Sequence, residues 1–366
     1  MKALLIVRPD AKTRFGGDTT LAHNTARALR AFGVEAEVAA AQDPDPRGHD
    51  LAHIFGIFEP EVCARQIDAC KRARLPLVVS PIWLDLRAVY GVARACERAM
   101  RRARTRRAAV RALERLRALP IERHMRPRDL KRLQQRERMQ ADLLRSADAL
   151  IPNSSIEARD VAVVLGVHEV PFVVAPIPAG LSDFRWAESR AGVACVARVE
   201  TRKNQAMLLL ALREDPIDVT LAGDPYDDDY FALCRRSAGP RAEFLGRVSD
   251  AEVRALHSRA LVHAMPSWCE TAGMASLEAA LAGAQLVVGD RGAEIEYFGD
   301  DAEYADPADP LSVRAAVLRA LARPQRARGD SLDLRVRRLT WRLAAERTKL
   351  AYEIALGREQ GRAAGS

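Results

Sequence analysis

A chain of 366 residues exceeds the roughly 250–300 residues at which a single hydrophobic core stops growing, so two domains of ordinary size are expected. Apolar residues at 48% and charged residues at 29% exclude a disordered or fibrous chain and leave each half enough to bury a core. The formal charge of +8 is concentrated: residues 94–138 hold 17 Lys/Arg against five Asp/Glu, which leaves the remainder close to −4.

From the N-terminus, the apolar run Ala3–Val7 is halted by Arg8-Pro9-Asp10. It is too short for the apolar region of a secretory signal and reads as a buried first strand of a parallel sheet. No stretch nears the ~18 uninterrupted apolar residues of a membrane span. Six cysteines (Cys63, Cys70, Cys96, Cys195, Cys234, Cys269) form no C-x-x-C pair and no His/Cys cluster at zinc spacing. Reduced thiols in a cytoplasmic protein without a structural metal are expected.

After a loop containing Gly16-Gly17, a helical pattern runs from about Thr19 to Phe32, with Leu21, Thr25, Ala28, Leu29 and Phe32 on one face and Gly33 as its C-cap. Short apolar runs follow at Glu37–Ala40, Leu51–Phe55, Leu75–Ser80, Ala147–Pro152 and Phe172–Ala175. The second half repeats the rhythm more clearly. Its strand candidates are Val193–Ala197, Asp218–Ala222, Ala242–Leu245, Leu261–Met265 and Gln285–Val288. Helical patterns lie between them around Gln205–Leu212, Asp227–Ser237, Asp250–Ser258 and Ala272–Ala282. Strands alternating with 10–15-residue helices predict parallel, doubly wound α/β sheets. The expected division is an N-terminal domain over 1–178 with a basic helical insertion at about 93–140, a C-terminal domain over 186–340, and a closing helix and tail over 341–366. Open α/β sheets bind ligands at the carboxyl ends of their strands, so a cleft between two such domains is the expected site.

The most informative stretch is Pro266–Gly283, PSWCETAGMASLEAALAG. It follows a buried strand, makes a short loop and enters a helix. Glu270 lies in the loop and Glu278 one to two turns into the helix, an E-x7-E spacing that lets both face one ligand with two polar ends. The amides of Thr271 to Met274 lie at the helix N-terminus, where unpaired donors and the helix dipole suit a diphosphate. Taken alone, E-x7-E is commonly two solvated glutamates, and the strand–loop–helix setting is what argues otherwise. A second stretch, Val193–Leu212, ends a strand near Arg198, and Lys203-Asn204 opens a helix. Arg198 offers a bidentate fork and Lys203 a point charge, and the two could neutralise a diphosphate; two ordinary surface cations are the plain alternative. Asp227-Asp228-Asp229 opens a helix, where acidic residues are routine, and is not read as a metal site.

Together these stretches make the C-terminal half resemble the GT-B-fold, family 4 retaining glycosyltransferases. The resemblance rests on Arg198, Lys203-Asn204, Ala222-Gly223, Ser267, Glu270, Gly273, Glu278-Ala279, Ala282-Gly283, Val287-Val288, Glu296 and Asp306-Pro307, and on the closing segment TWRLAAERTKLAYEIAL. It is strong over about 147–356 and weaker before. It implies two Rossmann-like domains facing across a cleft and a C-terminal helix that crosses back to the first. It also implies a nucleotide-diphosphate sugar as donor and transfer of a hexose-type sugar to a glycan or lipid-linked hydroxyl, in cell-surface polysaccharide or glycoconjugate synthesis. No cofactor and no metal are implied. Arg198 and Lys203 would hold the diphosphate, Glu278 the ribose, Glu270 the sugar hydroxyls, and the amides of Gly273 and Met274 the sugar or phosphate. Gly16-Gly17 would match the family's glycine-rich loop, and an ordinary turn is an equal reading.

Three departures stand out. Glu270-Thr271-Ala272-Gly273 replaces the family's E-G-F-G, and Gln285 stands where proline precedes the two valines. The family's first-domain histidine is absent: the region reads LPLVVSPIWLDLR, with Trp83 and Asp85 near its place. His23, His49, His53 and His124 have no motif support and read as ordinary loop or helix residues. A catalytically silent nucleotide-sugar binder or scaffold is the alternative these departures raise.

The basic segment Arg94–Arg138 has three readings. It is an exposed helical excursion with arginine stems over apolar neighbours, a patch attracted to an anionic membrane surface, or a tracker of nucleic-acid phosphates. No nucleic-acid motif accompanies it, so the cytoplasmic protein, peripheral at the inner membrane face under the second reading, is expected to bind none.

Overall fold

The computed structural model describes residues 1–13, 16–117 and 121–357. The chain divides into two compact units: residues 1–84, 132–180 and from Leu339 on, and residues 85–131 with 181–338.

The first unit is built on five parallel strands, β1 (Lys2–Val7), β2 (Glu35–Ala40), β3 (Leu51–Phe55), β4 (Leu77–Ser80) and β5 (Ala149–Leu150), in the order β2-β1-β3-β4-β5. Helices cover a parallel sheet on both faces, which is why β1, β3 and β4 read as apolar runs, broken in β3 by His53. Leu4, Ile6, Ile54, Leu77 and Val79 join Leu144 and Leu165 in one core. Gly33 sits in the left-handed region at φ 71°, ending the first helical stretch as its position suggested. The expected strand at Phe172–Ala175 reduces to one bridge between Phe172 and Leu150.

The closing helix Trp341–Ala355 belongs to this unit. The Trp341 indole donates to the Ala179 carbonyl at 3.2 Å. His53, read from sequence as unremarkable, is a fully buried strand residue instead. Its Nδ1 lies 2.9 Å from the Tyr352 hydroxyl and its Nε2 2.9 Å from Ser80 Oγ. Burial pushes its pKa down to about 3, so the ring is neutral and joins the closing helix to β3 and β4 by hydrogen bonds. Trp83 is also a core residue, its amide on Glu157 at 2.7 Å and its indole on Gln140 at 3.2 Å. The tail from Arg358 lies outside the described residues.

The second unit is built on six parallel strands, β6 (Ala191–Val196), β7 (Val219–Ala222), β8 (Ala242–Phe244), β9 (Ala260–Met265), β10 (Gln285–Gly289) and β11 (Glu303–Ala305), in the order β11-β10-β9-β6-β7-β8. The edge strand β11, Glu-Tyr-Ala, carries no apolar run and gives no sequence signal. The strand order reverses between β6 and β9, and the loops leaving these neighbours are Ala197–Asn204 and Pro266–Gly273, the two stretches singled out by sequence.

The basic segment sits differently from its expected place in the first domain: residues 85–131 pack with the second unit. In the helix Arg106–Arg117, Ala109 and Leu113 are buried. Arg106 caps the end of the helix Gln205–Leu212, donating to the Leu210 and Ala211 carbonyls at 3.2 Å each. Arg101 donates to the Asp229 carbonyl at 2.9 Å, Arg236 donates to the Met100 carbonyl, and Arg117 pairs with Asp306 at 3.1 Å and with Asp309. Three of the segment's arginines, Arg101, Arg106 and Arg117, therefore bind carbonyls and carboxylates of the second unit.

Candidate active site

The loop after β6 turns through the short helical segment Thr201–Lys203 into Asn204, which adopts a left-handed φ of 61°. Asparagine tolerates that conformation, and here it is fixed from both sides. Its Nδ2 donates to the Pro266 carbonyl at 3.0 Å and the Pro307 carbonyl at 2.8 Å. The Trp268 amide donates to the Arg202 carbonyl at 2.8 Å. The two loops are thus bound to each other, and their side chains meet.

At the meeting point is Glu270, 7% exposed. Its Oε1 accepts from Lys203 Nζ at 2.5 Å and Arg202 Nη1 at 2.9 Å. Arg202 also donates to the Cys269 carbonyl at 3.2 Å and to Glu200 Oε1 at 2.8 Å. Burial pushes the Glu270 carboxyl up, but the Arg202 and Lys203 charges outweigh it and hold it down at about 2. Glu270 is therefore a buried anion between two cations.

The loop ends at Gly273, left-handed at φ 64°, which caps the helix Met274–Leu281; Thr271 is partly exposed. Beside Gly273 lies Glu294, whose Oε1 accepts from Ser276 Oγ at 3.2 Å while its Oε2 is buried without a hydrogen-bond partner. Burial, and then the Glu270 charge, raise its carboxyl well above the usual range, which favours the protonated form.

Glu278 is buried one turn further along the helix. Its Oε1 accepts from the Leu181 amide at 3.0 Å, and its Oε2 lies 4.0 Å from His257 Nε2. Burial lowers His257 to about 4, so that ring is neutral.

Arg198 stands apart from Glu270. Its guanidinium is half-exposed, 5.5 Å over the Tyr226 ring and 3.8 Å from Glu200 Oε2. Glu200 thus lies between Arg198 and Arg202. Gly16 and Gly17 belong to the first unit, where Gly17 opens the helix Gly17–Leu29 and Gly16, its cap, is extended at φ −149°.

Sequence reasoning missed Arg202, Glu200 and Glu294. Glu296, which it named, is exposed on a short helix, while Glu294 is buried. The signals were faint: an arginine beside Lys203, and one carboxylate two residues from another. Asp227 caps its helix by accepting from the Tyr230 amide at 2.7 Å. Among the described residues no group of three His, Cys, Asp or Glu is arranged to hold a metal ion, and all six cysteines are buried and free.

Residues 182–329 match the family described as Glycosyl transferases group 1. No curated protein matches the chain. Sucrose-phosphate synthase from Thermosynechococcus elongatus superposes with a TM-score of 0.63 at 15% identity, covering 98% of each chain. Anabaena HepE in complex with UDP and glucose gives 0.62 at 15%, covering 100% of this chain and 99% of the other. The UDP-forming α,α-trehalose-phosphate synthase of Burkholderia vietnamiensis gives 0.59 at 13%, covering 94% and 78%. At such identities the likeness carries the fold, and the fold is GT-B. The matched stretch, which contains both site loops, makes the second unit a glycosyltransferase domain and the protein a glycosyltransferase.

Proposed function

We propose that the protein is a family 4, retaining glycosyltransferase that moves a hexose-type sugar from a nucleotide-diphosphate sugar to a hydroxyl of a glycan or lipid-linked acceptor, in cell-surface polysaccharide or glycoconjugate synthesis. The observation that carries this is the convergence of Lys203 on Glu270 beside the left-handed Gly273 at a helix N-terminus. Lys203, with Arg198 from the strand end, neutralises the diphosphate as its bond to the sugar breaks. The Gly273 and Met274 amides, with Thr271, face the sugar or phosphate, Glu270 holds the sugar hydroxyls, and Glu278 the ribose. The leaving diphosphate departs on the face the acceptor attacks and helps take its proton, so the protein contributes positioning and charge more than a strong base. No metal or cofactor is assigned a step. A nucleotide-sugar donor is supported by HepE, whose structures hold UDP and UDP-glucose.

A thermal-shift panel of nucleotide-diphosphate sugars tests the donor class, because a ligand bound only by the folded state raises the melting temperature. In Glu278→Ala the donor KM is expected to rise about tenfold or more with kcat within about threefold, the signature of lost ground-state binding. An unchanged KM would remove Glu278 from the donor site.

The acceptor side is open to a membrane reading. Arg107, Arg111 and Arg115 are exposed at four-residue spacing, on the opposite side of their helix from buried Ala109 and Leu113. No helix among the described residues is long and apolar enough to cross a membrane. We propose a cytoplasmic protein held peripherally at the inner membrane face, with each basic residue near anionic lipid contributing about 1 kcal/mol. The protein is expected to float with phosphatidylglycerol vesicles and not with pure phosphatidylcholine. Replacing the three arginines by glutamine should abolish flotation; flotation unaffected by the replacement rejects this face.

A further inference from the structure

We propose that Arg202 is a positioning residue for Glu270, keeping that carboxylate fixed and compensated when Lys203 leaves it for the donor diphosphate. The proposal rests on the donor reading above and adds a residue to it.

One carboxylate oxygen, Glu270 Oε1, serves both cations in the free protein. A diphosphate carries more charge than a carboxylate and competes for the mobile ammonium, a point charge on a flexible stem. If Lys203 were the only partner, donor binding would strand a buried anion at the moment the sugar needs it, and a buried charge without a partner is strongly unfavourable. Arg202 is built not to move. Its planar fork is divided between Glu200 on one side and Glu270 with the Cys269 carbonyl on the other. Its own backbone carbonyl is tied to the Trp268 amide, and its side chain is 19% exposed. Arg198 is placed otherwise, 3.8 Å from Glu200 and over the Tyr226 ring. The division of labour is one cation held for the enzyme and one released for the substrate.

Charged and titratable groups around Glu270 on every side bear on its ionisation. Arg202 and Lys203 come from the turn before Asn204, with Glu200 behind Arg202. Cys269 adjoins it, its thiol pushed up to about 12 by burial and hence neutral. Glu294 approaches from the short helix after β10, its carboxyl pushed well above the usual range by burial and then by the Glu270 charge. In the range where the enzyme would be assayed, Arg202 is thus the one fixed cation among them.

The test compares Arg202→Met and Arg202→Lys in the wild-type and Glu270→Gln backgrounds, using the sugar nucleotide selected by the thermal-shift panel. Arg202→Met is expected to lower kcat about 30-fold or more with donor KM within about threefold, and to move the acid limb of the kcat–pH profile up by about one unit or more. In the Glu270→Gln background the same change should cost less than about threefold, because there is no carboxylate left to hold. Arg202→Lys, which keeps the charge and loses the fork, should recover most of kcat. If Arg202→Met does not fold, Arg202→Gln takes its place in the comparison: a loss seen in the wild-type background and absent in the Glu270→Gln background supports the proposal. An unmoved acid limb, or an equal loss in both backgrounds, overturns it while leaving the donor reading intact. A wild-type protein that turns over no sugar nucleotide overturns both.

Discussion

Lys203→Ala is expected to lower kcat by ~10²–10³, the range seen when one preorganised group facing developing charge is removed. In the free protein the Lys203 ammonium is 2.5 Å from Glu270 Oε1 and its side chain is only 14% exposed. The substitution therefore has two effects that must be separated. It removes the cation assigned to the leaving diphosphate, and it takes one of two positive charges from a buried carboxylate. The second effect raises the Glu270 pKa from about 2, yet Arg202 remains in place at 2.9 Å. Glu270 should therefore stay ionised at neutral pH, and the loss of kcat should be flat between about pH 6 and 9. Steady-state kinetics across that range decide the matter. A loss that disappears as pH rises would mean that Lys203 works only by keeping Glu270 charged, and the diphosphate assignment would fail.

Much of this arrangement is legible in the sequence because the fold forces it. Each central strand of a doubly wound sheet is predominantly apolar, so β1, β3, β6, β9 and β10 stand out even with His53 in β3 and His263 in β9, and the loops after β6 and β9 carry Lys203 and Glu270. The E-x7-E spacing located the helix Met274–Leu281 because its N-terminal glycine, apolar body and following strand all agree. What escaped had physical reasons. β11 is three residues at a sheet edge, Glu-Tyr-Ala, where burial makes little demand on composition. Arg202 is beside the expected Lys203, and which of two adjacent cations turns inward is settled by backbone geometry, here the Trp268 amide held by the Arg202 carbonyl. Glu294 and Glu296 differ by two positions on a short helix, which places them on different sides, and charge alone gives no sign of which is buried. The basic segment is divided in a way charge alone does not show: Arg101, Arg106 and Arg117 answer carbonyls and carboxylates more than a hundred residues away in sequence, while Arg107, Arg111 and Arg115 are exposed.

Gly223→Ala is expected to produce the largest loss of stability of any single methyl group added near the site. Gly223 leaves β7 at φ 145°, a conformation L side chains rarely adopt. An added Cβ would overlap the Ala197 carbonyl oxygen and lie 2.6 Å from its carbon and 3.1 Å from the Arg198 amide nitrogen. Those atoms cannot withdraw, because the Ala197 amide donates to the Ala222 carbonyl at 2.9 Å and the Gly223 amide donates to the Gly246 carbonyl at 2.8 Å. The methyl must separate β6 from β7 at the point where the chain turns towards Arg198 and Glu200. A cost of about 4 kcal/mol follows from strained backbone plus steric overlap, lowering the melting temperature of the second unit by roughly 10 °C. Gly329→Ala is the control. Gly329 is also left-handed, at φ 81°, but a Cβ there meets nothing within 4 Å. Its cost should be limited to dihedral strain of about 1–2 kcal/mol. Calorimetry on both variants separates the two contributions: equal losses would mean that the Ala197 contact adds nothing, and that the close approach of β7 to the Arg198 loop is not what holds that side of the site.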